Sequence, residues 1–211
     1  MRLVRAAALT LLLAVVIVTA NAPSAPAIPL PRPASGRGVL IVSPFLPERA
    51  DELAAIPLYR QPGVGRIATI AAGALPAITP PGENGAGAYA VAVLEKRGNW
   101  LKVVFDDAGR SAWLERARWW SYRSWEEFLP GREVRLLPGL KTSYYRLVAL
   151  PADQCRESVP VDPHDSLRAG RVQDDWLQAT LSPSVTGWLR WRDGDGRLLI
   201  AVPLRNSSQN Y

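Results

Sequence analysis

The chain has one cysteine and one histidine in 211 residues, and each scarcity excludes chemistry. With Cys155 alone no intrachain disulfide forms, so the fold must rest on its apolar cores. Cys155 and His164 stand nine residues apart inside one polar, proline-containing stretch, residues 151–166. A Cys/His pair invites a thiol-hydrolase reading, but no helix pattern surrounds it to present a nucleophile at a helix start. One His and one Cys do not build a usual zinc site. The faint calcium-loop pattern Asp193-Gly194-Asp195-Gly196 lacks the bidentate Glu such a loop needs, where Leu204 and Arg205 stand instead. It reads as a hairpin turn. The sequence is that of a non-catalytic protein with no cofactor and no metal.

A concentrated basic face is also missing. The formal net charge is +6, from 25 basic and 19 acidic residues. Arg2, Arg5, Arg32 and Arg37, with no acid among residues 1–37, supply most of it. Residues 38–118 hold nine basic and eight acidic groups, and residues 144–211 hold eight of each. The globular part is nearly neutral, which excludes nucleic acid as a partner.

Long apolar runs are absent except one. Residues 6–20 are an uninterrupted stretch of Ala, Leu, Val, Ile and Thr behind the basic pair Arg2 and Arg5. That is the layout of a secretory signal peptide, residues 1–20, with cleavage after Ala20 or as late as Ala27. A spanning helix needs about 20 apolar residues, so an uncleaved anchor is the second reading and the only membrane contact expected. Pro23, Pro26, Pro29, Pro31 and Pro33 make residues 21–37 a semi-rigid, extended linker.

What is present is a pattern that occurs twice. Trp100-Leu101-Lys102-Val103 is followed 13 residues after its Trp by Trp113-Leu114, and Trp176-Leu177-Gln178-Ala179 is followed 12 residues after its Trp by Trp188-Leu189. An internal repeat fixes architecture before other signals do. Short apolar runs cut by turns predict strands at residues 56–60, 66–71, 89–95, 100–105 and 110–114, and again at 144–150, 168–172, 176–181, 186–191 and 197–202. Residues 72–88, rich in Gly, Pro and Ala, read as a long loop, and residues 151–166 as another. Between the two sets, Ser124 followed by Glu127 is a capping box, so a short helix is predicted there, ended by Pro130-Gly131. The fold class is all-β: two small modules, residues 38–118 and 134–205, joined by a short helical connector, residues 119–133. Residues 206–211 form a polar tail.

Side chains on a strand alternate faces. Leu101, Val103 and Phe105 share one face, as do Leu177, Ala179 and Leu181. Trp100, Trp113, Trp176 and Trp188 fall on the opposite, polar parity of their strands. Two readings follow. The rings seal the rim of a small barrel or cement the modules together, or they form a shallow platform for a ligand. Tyr59, Trp119, Trp120, Tyr144 and Tyr145 lie near strand ends and extend such a groove. Trp119 and Trp120 are neighbours, so on extended backbone one ring packs and the other faces water.

A strand opening on Leu58-Tyr59-Arg60, the hairpin Gly98-Asn99-Trp100-Leu101-Lys102-Val103 and the closing strand Ser111-Ala112-Trp113-Leu114-Glu115 resemble the bacterial SH3-like domain family. The second copy is similar through Asp175-Trp176-Leu177-Gln178 and Gly187-Trp188-Leu189. Ala112 departs from the family's Gly before the closing Trp. The resemblance implies two SH3-like β-barrels. Such modules often accompany cell-wall enzymes and bind peptidoglycan or its stem peptides, while others are structural or bind proteins. The expectation is therefore an exported protein, periplasmic or secreted, whose partner is peptidoglycan or an envelope protein. Its candidate aromatic groove is Tyr59, Trp100, Trp113, Trp119, Trp120, Tyr144, Tyr145, Trp176 and Trp188.

Overall fold

Two apolar runs, Val39-Leu40-Ile41-Val42 and Tyr89-Ala90-Val91-Ala92-Val93, lack the in-out alternation of a strand with one wet face. Continuous apolarity means burial on both faces, and the computed structural model shows what covers each. It describes residues 32–79, 87–153, 155 and 157–203, all within one compact unit. The predicted signal peptide, most of the proline-rich linker and the tail lie outside these residues. No described helix is long and apolar enough to cross a membrane.

The chain begins with β1 (Gly38–Val42), a small hairpin of β2 (Phe45–Leu46) and β3 (Arg49–Leu53), then β4 (Ala55–Gln61) and β5 (Val64–Ala71). It continues through β6 (Tyr89–Arg97), β7 (Trp100–Val104), β8 (Ser111–Glu115) and β9 (Ser121–Ser124). A one-turn helix, α1 (Trp125–Phe128), leads to β10 (Glu133–Leu136), β11 (Arg146–Val148), β12 (Ser158–Pro160) and β13 (Leu167–Gln173). The last strands are β14 (Trp176–Ser182), β15 (Val185–Arg190) and β16 (Ile200–Ala201). All-β is the fold class.

The first seven-stranded sheet runs β5-β4-β8-β7-β6-β1-β9, and the second runs β12-β11-β15-β14-β13-β10-β16. Leaving out the β2–β3 hairpin, each strand of the first sheet maps in chain order onto one of the second, and the two orders are then identical. The tryptophan repeat is thus a repeat of topology. The expected closed barrels are not found: the end strands of neither sheet pair with one another among the described residues. Strands β1 and β6 contribute to two cores. Leu40, Val42, Tyr89, Val91 and Val93 face the first sheet's core, with Ile56, Leu58, Leu101, Val103 and Leu114. Val39 and Ala90, on the other face, belong to the second core, with Leu136, Leu147, Leu167, Leu177, Leu189 and Trp191. A first sheet rolled up by itself would leave that second face in water; here it is buried against the second core.

The capping box forms as the sequence predicts. Glu127 N–H donates to Ser124 Oγ at 3.3 Å, and Ser124 N–H donates to the Glu127 carboxylate at 3.0 Å. The helix is more than a spacer, however. Trp125, Phe128 and Leu129 are core residues of the second sheet, and the Trp125 ring lies 4.9 Å from that of Trp191. Four segments escaped the sequence reading: β1, the β2–β3 hairpin, the polar edge strand β9 inside the predicted connector, and β12 inside a predicted loop. β1 is nearly all buried, whereas backbone pairing holds the other three, and few of their residues are buried.

Residues 32–37, placed by sequence in the linker, are part of the fold. Ala34 bridges Arg197, Ser35 N–H donates to Gly196 O at 2.8 Å, and Leu198 N–H donates to Pro33 O at 2.9 Å. Trp125 Nε1 donates to Ser35 O at 2.9 Å, and Arg32 pairs with the buried Asp193 at 2.6 Å. The strap then turns at Gly36, where φ is +59° and a Cβ would sit 2.3 Å from Val93 O, so only glycine fits. Arg37 N–H reaches Val93 O and β1 begins. One short segment therefore ties the last hairpin of the second sheet to the first strand of the first.

Two outcomes follow. Trp125→Ala empties the junction of strap, helix and Trp191, and lowers the unfolding free energy by about 3–5 kcal/mol in urea titrations. Burial works to push the Asp193 carboxyl up, but the Arg197 N–H, the Arg32 guanidinium and the Asp195 N–H outweigh it and hold it below the usual range. A depressed carboxylate contributes stability above its unfolded pKa, about 3.9, and loses it as pH falls through the folded value. The stability gap between wild type and Asp193→Asn is accordingly full above about pH 4 and shrinks below it.

Candidate binding groove

Directly opposed residues on antiparallel strands share a face. Tyr59, Trp113 and Lys102 lie opposite one another across β4, β8 and β7, and Trp100 is on the same face two residues before Lys102. In the second sheet Val148, Trp188 and Gln178 are opposed across β11, β15 and β14, with Trp176 again two residues away. The four repeat tryptophans therefore stand off the core face, as their parity predicts, while Leu101, Val103, Leu177 and Ala179 fill the cores.

Their exposure divides them. Trp113 is 4% exposed and Trp188 7%, whereas Trp100 and Trp176 are half-buried. Arginines roof these rings. The Arg97 guanidinium lies 4.8 Å from the Trp113 ring centre, Arg171 5.4 Å from Trp188 and Arg190 5.0 Å from Trp176. Such contacts contribute about 0.5–1 kcal/mol each at exposed sites. Trp100 instead meets the edge of Tyr59 at 5.3 Å.

The nine aromatics proposed from sequence do not form one groove. Tyr59, Trp100 and Trp113 cluster on the first sheet. Trp120 is a core residue whose Nε1 donates to Ser43 O at 2.9 Å. Its neighbour Trp119 is 41% exposed and lines a separate hollow with Leu46, Pro47 and Glu48. Tyr145 is structural: its hydroxyl donates to Leu137 O at 2.7 Å and accepts from Leu140 N–H at 3.0 Å, pinning the turn after β10. The cementing role falls to Trp125 and Trp191, which the repeat did not mark.

Trp176 and Tyr144 do come together. They line a groove of about 430 Å³ on the second sheet, with Lys141, Arg146, Asp153 and Arg190 among its walls. Tyr144 ends a 3-10 turn, Thr142–Tyr144. Arg190 follows from β15, where it opposes Trp176. Arg190 Nε donates to Asp153 Oδ1 at 2.7 Å, and Nη2 donates to Asp153 Oδ2. On its other side Nη1 lies 3.5 Å from the Asp175 carboxylate. The Arg190 contact holds the Asp153 carboxyl below its usual range, and Asp153 in turn raises the guanidinium. Sequence reasoning found the rings but missed the charges. Asp153 and Arg190 are 37 residues apart, and only the local pattern around each was read.

No group of three or more His, Cys, Asp or Glu among the described residues is placed to hold a metal ion. The Cys155 thiol donates to Glu157 O at 3.5 Å, and His164 N–H caps a turn through Asp162 Oδ1 at 2.8 Å. Compared with known proteins, the chain matches no family model, no curated protein and no solved structure.

Burial predicts how the rings divide energetically. Trp113→Ala lowers stability by about 2–3 kcal/mol, and Trp119→Ala, which loses only an edge contact with Trp120, lowers it by about 0.5–1.5 kcal/mol. Paired urea titrations check both.

Proposed function

We propose that the chain is an exported, non-catalytic binding protein built on two SH3-like modules, and that it recognises peptidoglycan or cell-envelope peptides. The N-terminal signal pattern supports export to the periplasm or beyond. The duplicated strand order and the hairpins that each lead into a Trp-Leu strand, Trp100-Leu101 and Trp176-Leu177, support the kinship of the modules. The observation that carries the binding reading is the second-sheet groove, where Trp176 and Tyr144 stand beside Lys141, Arg146 and Arg190. An aromatic floor with charged walls suits a peptide bearing both apolar and ionised groups. On the first sheet the Tyr59–Trp100 pair lies beside Trp113, which Arg97 covers, and Glu115 stands opposite Trp100 where the second sheet has Arg190.

A second reading is a structural adaptor in an envelope complex. It is favoured by the Trp119 hollow on the β2–β3 hairpin, an element that the second sheet lacks. Exposed aromatic residues with Leu and Pro beside them are common contact points for protein partners.

Co-sedimentation with purified cell-wall sacculi separates the two. Binding of envelope polymer predicts that wild type pellets, that Trp176→Ala loses most of the pelleting and that Trp119→Ala pellets like wild type. Wild type remaining in the supernatant overturns the reading.

A further inference from the structure

The two sheets place opposite charges at one equivalent position. In the first, Glu115 lies opposite Trp100; in the second, Arg190 lies opposite Trp176. The copies share strand order and the same Trp-strand pairing, with a tryptophan spacing that differs by one residue, so this exchange changes what the ring's surroundings attract while keeping the frame. Arg190 is also held in place. Its guanidinium rests over the Trp176 ring at 5.0 Å and lies 3.5 Å from the Asp175 carboxylate. Asp175 is itself fixed by Arg192 Nε at 2.6 Å. The two remaining donors, Nε and Nη2, point together at Asp153, a fork that fits one planar carboxylate.

Asp153 differs from an ordinary structural partner in one respect. Its side chain is 65% exposed, against 20% for Arg190. It sits on the turn that follows β11, outside any strand. Removing it leaves Arg190 positioned by Trp176 and Asp175, with the fork open to the groove. Lys141 and Arg146 then raise the positive potential of the same walls.

Resting on the reading of this groove as a ligand site, we propose that Arg190 receives the free carboxylate of a peptide ligand beside the Trp176 ring, and that the Asp153 carboxylate occupies this position in the free protein and is displaced on binding. The ligand class is a short peptide ending in a free carboxylate, with a small apolar side chain against Trp176 and Tyr144. The first sheet does not take it, because Glu115 repels a carboxylate at the matching place. Asp153 acts as an internal competitor that weakens the binding of a ligand carboxylate that must take its place on Arg190.

Isothermal titration of the mature chain with N-acetyl-alanyl-alanine and with its C-terminal amide tests this. The acid binds at least about tenfold tighter than the amide, because a charge-assisted bidentate contact is roughly twice as strong as a neutral one. Asp153→Asn strengthens acid binding by about tenfold and leaves the amide unchanged, since a neutral competitor is easier to displace. Arg190→Gln, its folding verified by circular dichroism, loses the preference for acid. Equal binding of acid and amide, no binding of either to wild type and Asp153→Asn alike, or weaker acid binding by Asp153→Asn each overturns the proposal. Sacculi that pellet the protein while acid and amide bind equally overturn this inference and leave the envelope reading standing. Acid-selective binding without pelleting does the reverse.

Discussion

Strands β1 and β6 carry apolar side chains on both faces, and the architecture depends on that. A strand buried on one side alternates; these do not, because each side meets a different core. Burying a Val or Leu side chain contributes roughly 1.5–3 kcal/mol, so the second face of this wall cannot be left in water at small cost. The first sheet stays open, the second sheet packs against it, and the two topological copies become one body. Trp125 and Trp191 fill the seam, and the residue 32–36 strap is drawn into the same place by the Trp125 indole and the Arg32–Asp193 pair.

The strap sets where the preceding chain enters the fold. It leaves the last hairpin of the second sheet and reaches β1 across a single left-handed glycine. The segment that precedes it is thus attached at the junction of the two sheets.

Repetition of strand order has not produced repetition of chemistry. Trp113 and Trp188 are covered in both copies by an arginine from the strand two places along the sheet, β6 and β13. Trp100 meets Tyr59, but the corresponding place near Trp176 belongs to Val148, and the ring is left to Arg190. With Glu115 against Arg190, the copies are alike in backbone and opposite in the charge they offer. That asymmetry, and not the tryptophans alone, distinguishes the two surfaces.

Side-chain parity, turn chemistry and capping are local properties of the backbone, and they were legible in the sequence. The Trp-strands, the Asp193–Gly196 turn, the Ser124–Glu127 box and the off-core parity of four tryptophans all follow from residues within a few positions of one another. Tertiary structure alone decided that the two sheets share a wall in place of closing as barrels, which of Trp119 and Trp120 is the buried ring, and that Tyr145 pins a turn while Tyr144 lines a groove. It alone brought Asp153 onto Arg190 and Arg32 onto Asp193, pairs 37 and 161 residues apart. The physical reason is one of range: a residue's face is set by its own φ and ψ, but what covers that face is set by surfaces that arrive from elsewhere in the chain.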